Sequence, residues 1–368
     1  MNLAELLEHS GLTGRGGAAF STATKVRAAH EHGAALIVNA CDGEIGAVKD
    51  AYVVEHHLPA LVRGATLVGG RRVRYAAHRG SATEARLRAA GLDVLSAPAR
   101  YVSSEETSLI SLAQGGLARP MTKRQPFVMG GADSDGRRIS PTVVLNAETL
   151  WRVAQVVEHG PQWFRAQGLP GEPGPRLVGV GGDVSRPGVI ATSTGVSLRD
   201  IVAAAGGDLD DSGPVIVGGL GGVLLARAEA AAATWSTEGL RAYGGRPGSG
   251  VVHVLDPDGC PVAELARWFD HAAGESAGQC GPCMFGLPAI AADWRELAAG
   301  SSPVAARERL LRRTASVTGR GACRFPDGVA GLATSALRVL SDHLLDHTSG
   351  RCAASHPFRS SHERVLTH

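Results

Sequence analysis

Two stretches carry residue types at spacings that could do chemistry. The first is Gly11-Leu12-Thr13-Gly14-Arg15-Gly16-Gly17-Ala18-Ala19-Phe20, followed by Lys25. A loop this rich in glycine can take positive φ and press its amides against a ligand. Ser21 then offers a hydroxyl cap to a helix over the following residues. Amides ahead of a helix N-terminus suit an anion, and Arg15 and Lys25 add positive charge. A phosphate cradle and a plain glycine-rich turn both account for these residues, whose spacing matches neither the P-loop nor the dinucleotide fingerprint. The second stretch is Cys280-Gly281-Pro282-Cys283, with Cys323 further on. A Cys-x-x-Cys pair plus a distant thiol, all at helix ends, suggests a metal site, since helix N-termini favour thiolates.

The elements that must position these groups are legible in outline. Residues 34–40 form an apolar run suited to a strand buried on both faces. It ends at the acid-rich loop Cys41–Asp50, and α/β sheets bind ligands outside the carboxyl ends of their strands. Helix 58–67, strand 74–77, helix 81–90 and strand 92–95 follow, and this alternation is the α/β signature. Tyr101–Leu109 opens another helix with adjacent acids, and 141–145 reads as a strand leading into helix 148–157. Farther on, strands 177–184 and 188–192, the Ser197-capped helix and strand 214–219 follow a β-grasp order. After a last strand at 251–256, helices at 261–273, 284–299, 304–317 and 329–343 suit a small bundle.

Composition narrows the classes. The chain has 368 residues, 44% hydrophobic and 20% charged, with a formal net charge of +2. That balance fits a globular protein of several domains and points to neither nucleic acid nor a membrane surface. No run reaches the roughly 20 apolar residues of a membrane span. The N-terminus reads as an amphipathic helix and not as a signal peptide, so a cytoplasmic protein is expected. Six cysteines in that setting argue for metal or redox chemistry over disulfides. Cys260 reads as a structural turn residue and Cys41 as a small buried side chain. The fourteen histidines read as scattered, with no outstanding His-x-x-x-His pair.

Four stretches in order carry a resemblance to a known family. Gly14–Lys25, Asn39–Asp50, Tyr101–Leu109 and Pro141–Leu150 resemble the GRGGAGF-PT-x-x-K, N-A-D-E-x-E-P-G-x-x-K-D, G-E-E-T and P-T-x-x-N-N-x-E-T motifs of a flavoprotein family. That family is the flavin-bearing 51-kDa (F) subunits of respiratory NADH dehydrogenase. Related flavin subunits of NAD-dependent hydrogenases and formate dehydrogenases share the motifs. The resemblance covers roughly residues 10 to 345. It implies a Rossmann-like FMN-binding α/β domain (1–165), a ubiquitin-like β-grasp domain of the soluble-ligand-binding (SLBB) type (166–245), a helical iron–sulfur domain (246–347) and a flexible tail (348–368). FMN would be bound by Gly14, Arg15, Gly16 and Gly17, with Lys25 near its phosphate and Asn39, Asp42, Ser104, Glu105, Asn146 and Thr149 at further contacts. NADH would stack over the flavin, contacted by Phe20, Glu44, Tyr101, Glu106 and Lys123. Glu44 and Glu106 are the candidates for positioning the reacting nicotinamide. Hydride transfer is the chemistry of the cofactors, so the protein's task is to stack and orient them.

In the same resemblance Cys280, Cys283 and Cys323 match three of the four ligands of a [4Fe–4S] cluster. Ala277 stands at the first ligand position. A fourth ligand could come from Ser276, His271, Cys260, Cys352, a small molecule or a partner; a [3Fe–4S] cluster, an empty site or zinc with a histidine are the other outcomes. Further departures are Cys41 for Asp, Ile45 for Pro, Ser104 for Gly, and Ala28 for an aromatic that sandwiches adenine. The implied function is electron transfer from NADH through FMN and an iron–sulfur cluster to a thioredoxin-like [2Fe–2S] subunit or another redox protein, within a complex that can sit at the inner face of the membrane. The alternatives are an FMN-only NAD(P)H dehydrogenase with a degenerate cluster site, and a non-catalytic scaffold with structural zinc.

Overall fold

The computed structural model describes residues 1–123, 125–133, 136–300, 303–349 and 352. The expected flexible tail falls almost wholly outside them. The chain divides into two compact units: Met1–Gly43, Ala47–Val178 and Ala191–Val196 form the first, and Glu44–Gly46, Gly179–Ile190 and Ser197 onward form the second.

The first unit is built on a parallel sheet. Strand β1 (Ala35–Asn39) is apolar on both faces, as a central parallel strand must be. It lies between β2 (Val73–His78) and β4 (Thr142–Asn146), with β3 (Val94–Ala97) on the far edge of β2. All pairings are parallel, and the register sets Asn39 opposite Asn146 at the carboxyl ends of β1 and β4. From β1 the chain continues to β2 on one side, while β4 flanks β1 on the other, so these two residues mark the topological switch point where α/β sheets bind ligands. Helices α1 (Leu3–Ser10), α2 (Thr22–Glu31), α3 (Lys49–His56), α4 (Leu58–Gly69), α5 (Ala82–Ala89), α6 (Glu106–Ala113) and α7 (Ala147–His159) complete the unit. Gly64 allows α4 to meet α7 closely: a Cβ there would lie 1.9 Å from the Leu150 carbonyl oxygen. Cys41 is buried with Ile37, Leu95, Leu109 and Val144. Burial, with Asp50 and Asp42 nearby, pushes its thiol pKa up.

The second sheet is five-stranded and mixed. Its order is β6 (Gly188–Ser193), β5 (Pro175–Gly182), β9 (Val251–Val254), β7 (Val215–Val217), β8 (Val223–Leu225). Strands β5 and β9 run parallel, and β7 is antiparallel to both of its neighbours. Strand β8 is an element that the sequence reading lacks. Helix α8 (Leu198–Ala204) starts at Ser197, whose side chain caps the Asp200 N–H. The C-terminal region is helical: α9 (Pro261–Gly274), α10 (Leu287–Ala298), α11 (Pro303–Val317), α12 (Phe325–Val339) and α13 (Ser341–Thr348). Trp294 of α10 is fully buried, stacks at a tilt on Phe269 of α9 with centroids 4.9 Å apart, and donates to the Val262 carbonyl. The buried Asp293 carboxylate takes Arg309 and Arg313 of α11 at 3.1 and 2.9 Å. The helix expected to run on to residue 343 stops at Val339, and α13 follows directly after Leu340. Among the described residues no helix is long and apolar enough to cross a membrane.

Candidate functional site

The glycine loop is a tight reversal. Thr13 bridges to Ser21, the Gly14 N–H donates to the Phe20 carbonyl at 2.8 Å, and the Ser21 hydroxyl caps Thr24 at the start of α2. Gly17 (φ 103°) and Ala19 (φ 50°) lie in the left-handed region, where a non-glycine residue is strained. The Arg15 N–H donates to the buried Thr149 hydroxyl at 2.9 Å, which ties the loop to α7. No hydrogen bond within the described residues engages the N–H groups of Gly16, Gly17, Ala18 or Ala19. A Cβ on Gly16 would touch the Asn146 side chain at 3.4 Å, so the loop lies against the carboxyl end of β4. Phe20 is 52% exposed.

The Arg15 guanidinium points away from this loop. It is 3% exposed, donates to the carbonyls of Pro173 and Pro175 at 3.0 and 3.3 Å and to Thr13, and lies over Phe164. Its backbone serves the loop, while its side chain anchors a neighbouring turn. Lys25 supplies the charge instead. Its ammonium bonds the Glu106 carboxylate at 3.3 Å and the Val144 carbonyl of β4 at 3.2 Å. Lys123 pairs with the other Glu106 oxygen. Burial raises the Glu106 pKa, but Lys25 and Lys123 outweigh it and hold the carboxyl below its ordinary range.

Adjacent acids therefore have different tasks. Glu105 caps α6, accepting from the N–H groups of Thr107 and Ser108. Glu106 stands half-exposed between two lysines. Asn39 donates to the Ser104 carbonyl at 2.9 Å, and the Ser104 hydroxyl folds back onto the Tyr101 carbonyl at 2.8 Å. The Asp42–Gly43 turn packs here, since a Cβ on Gly43 would meet the Ser104 oxygen at 2.6 Å. Asp42 caps α3 by accepting from Asp50 and Ala51 at 3.0 and 2.6 Å.

Beneath these groups lies a buried ionic network that sequence reasoning missed. Lys49, 3% exposed, donates to Asp50 and Asn146 at 2.8 and 2.9 Å and faces Glu148 at 3.6 Å. Asn146 also donates to Asp50 at 2.6 Å, and Arg152 reaches Glu148 at 3.4 Å. Burial would lower the Lys49 pKa, but Asp50, Glu148 and Asp42 raise it overall. The Lys-Asp pair closing the acid-rich loop was the available signal.

Glu44 belongs to the second unit. Its buried carboxylate accepts from the N–H groups of Leu220 and Ile45, both at 2.9 Å, and Gly219 has no room for a Cβ against it. In the same unit the Cys280 sulfur receives N–H groups of Ala322 and Cys283, which brings the Cys323 loop beside the Cys-x-x-Cys turn. The Cys283 sulfur receives those of Ala277 and Gln279. So the chain at the family's missing-ligand position still turns an amide toward a sulfur. Cys260 and Cys352, two candidates for the fourth cluster ligand, lie elsewhere, gathered with His343 and His347. The histidine reading is corrected too: His343 and His347 are a His-x-x-x-His pair on α13.

Comparison with known proteins bears on these sites. The pattern of the Nuo51 FMN-binding domain matches residues 7–155, and that of the NADH-ubiquinone oxidoreductase-F iron–sulfur binding region matches 263–347. The second F-type subunit of the NADH-quinone oxidoreductases of Rhizobium meliloti (strain 1021) is 30% identical, over 96% of this chain and 90% of its own length. The chain belongs to the family of F-type subunits of NADH-quinone oxidoreductase. The F-type subunit of the Mycobacterium bovis enzyme is also 30% identical, over 94% of this chain and 84% of its own. Among solved structures, an NAD+-reducing [NiFe]-hydrogenase in the H2-reduced state superposes with a TM-score of 0.84 at 30% identity. The match spans 94% of this chain and 62% of the hydrogenase chain. As a member of the F-type family, this protein carries an FMN-binding domain before its second sheet and an iron–sulfur binding region in its terminal helices.

Proposed function

We propose that this chain oxidises NADH through FMN and passes the electrons singly, through an iron–sulfur cluster, to a protein partner. The observation that carries the reading is the set of uncommitted amides at Gly16–Ala19 lying against the carboxyl end of β4, where Lys25 also reaches. That donor set fits the phosphate of FMN. When bound, FMN converts a two-electron donor into single electrons, and the cluster carries them onward. The chain's own residues do the rest. Gly14–Gly17 and Lys25 hold the phosphate. Asn39, Asp42, Ser104, Glu105, Asn146 and Thr149 shape the flavin's surroundings, each of them through a hydrogen bond to the backbone. Phe20, Tyr101, Glu106 and Lys123 orient the nicotinamide nucleotide, and Glu44 is assigned to the same nucleotide.

Cys280, Cys283 and Cys323 fit three corners of the cluster, because cysteine thiolates are its usual ligands, and amides face the sulfurs of Cys280 and Cys283. Exposed Met284 and Phe285 directly follow Cys283, beside a cavity of about 350 Å³. Apolar surface next to a redox group suits a partner, and a thioredoxin-like [2Fe–2S] subunit is our assignment. The same reading gives residues 166–245 as a β-grasp module of the soluble-ligand-binding type and 246–347 as the cluster domain. It places the protein in the cytoplasm, at the inner face of the membrane through its partners. Ala277 favours one second reading, an FMN-only dehydrogenase with a degenerate cluster site.

Ultraviolet–visible spectra with iron and sulfide analysis of anaerobically purified protein separate these readings. Flavin bands bleached by NADH, with iron present, support the proposal. Flavin without iron selects the second reading. No flavin uptake after FMN addition overturns both.

A further inference from the structure

We propose that Cys260, His343, His347 and Cys352 form a zinc site separate from the Cys280–Cys283–Cys323 region. The four ligand atoms lie within 4.8 Å of one another. Cys260 Sγ is 3.6 Å from His343 Nε2 and 3.6 Å from His347 Nδ1, and Cys352 Sγ is 3.5 Å from His343 Nε2. A tetrahedral zinc with Zn–S of about 2.3 Å and Zn–N of about 2.0–2.1 Å sets S and N about 3.5 Å apart, matching all three separations.

The convergence is hard to explain by hydrogen bonds alone. A ring nitrogen has one in-plane proton or lone pair, yet His343 Nε2 faces two sulfurs. Likewise Cys260 Sγ faces two imidazoles. A cation at the centre satisfies all four groups at once. The second layer agrees. His347 Nε2 donates to the Ala298 carbonyl, which leaves Nδ1 with its lone pair toward the thiols. His343 and His347, four residues apart, share a face of α13. Cys260 is the N-cap residue of α9, so its position is fixed by the start of that helix.

Two thiols and two imidazoles in tetrahedral array select zinc among common ions. With four protein ligands the site is closed, so its role is structural: it clips α13 and Cys352 to the start of α9. It draws on none of the residues proposed for FMN or NADH, nor on Cys280, Cys283 or Cys323.

Metal analysis of the full-length protein, purified anaerobically, is the test. The expected result is close to one zinc per chain beside the cluster iron. Cys260→Ser and His347→Asn should each abolish the zinc and leave the iron unchanged. Cys280→Ala with Cys283→Ala should abolish the iron and keep the zinc. Should the first two variants fail to fold, cobalt(II) loaded into the Cys280→Ala/Cys283→Ala protein supplies a second readout: tetrahedral d–d bands with sulfur-to-cobalt charge transfer. Trace zinc only, zinc lost with Cys280 and Cys283, absence of those bands, or a Cys260–Cys352 disulfide in the untreated protein would each overturn the proposal.

Discussion

We assign a phosphate to the glycine loop of the first unit and an iron–sulfur core to the Cys280–Cys323 region of the second, and the two regions are built by opposite means. The loop offers backbone amides that carry no net charge, and Lys25 contributes one cation. Gly16 packs against Asn146, a member of the buried Lys49–Asp50–Asn146–Glu148 network. The thiol region supplies the ligands themselves and aims amides at their sulfurs. A phosphate site of the first kind tolerates loss of any single amide, because the charge is spread over several donors. A cluster site of the second kind depends on each ligand, so the replacement at Ala277 matters more than Ser104 does in the first.

Lys49→Met should have the largest effect, and it tests whether the network is the foundation of the loop site. Removing Lys49 leaves Asp50 buried without its cation and Glu148 with Arg152 alone, and breaking a buried pair in this way costs about 3–5 kcal/mol. Chemical denaturation should show that loss, with flavin affinity falling alongside. A stability change under about 1 kcal/mol would mean the network is not what braces the loop. Next in size is Lys25→Ala. A hydrogen bond to a charged group is worth about 1.5–3 kcal/mol, so flavin affinity should fall roughly tenfold to a hundredfold while the fold stays intact. Fluorescence titration with FMN reads it, and unchanged affinity would remove Lys25 from the site.

How much of this was legible in the sequence follows from the range of each signal. The glycine loop, the strand ending at Asn39 and the Cys-x-x-Cys stretch are local patterns, and the structure shows a loop, a strand and a π-helical turn over Pro282–Gly286 at those places. Glu105 and Glu106 look alike in sequence, and only the fold separates a helix cap from a carboxylate between two lysines. Arg15 reads as cofactor charge because its neighbours are glycines. Its guanidinium is buried by residues 164, 173 and 175, which no local window includes. The Cys260–His343–His347–Cys352 group is invisible for the same reason, its first ligand lying far in sequence from the other three. Strand β8 escapes notice because three apolar residues after a glycine turn carry no period.

Ala277→Cys asks whether the second region lacks only a ligand. The Ala277 amide already faces the Cys283 sulfur, so the backbone is in place to bring a thiol near the other three. Iron retained after a fixed exposure to air should rise several-fold over the natural chain. Unchanged iron would show that the corner is filled by another group or that the cluster does not need it.

The smallest effect expected is the pH dependence carried by Glu106. Its folded pKa lies below the ordinary 4.5, so the folded state binds fewer protons than the unfolded state just under that value. The stabilisation is fully present above about pH 4.5 and is lost as pH falls through the folded pKa. Because the carboxylate is 34% exposed, the contribution is under about 1 kcal/mol. The stabilities of the natural chain and of Glu106→Gln should therefore differ at neutral pH, and the difference should shrink as pH falls below 4.5 through the folded pKa. If the two do not differ at neutral pH, Lys25 and Lys123 are not held by Glu106, and the lysines are free to meet a phosphate without first giving up a partner. A difference that shrinks with falling pH instead means that ligand phosphate must compete with a carboxylate for Lys25, and flavin affinity should then be stronger in Glu106→Gln than in the natural chain.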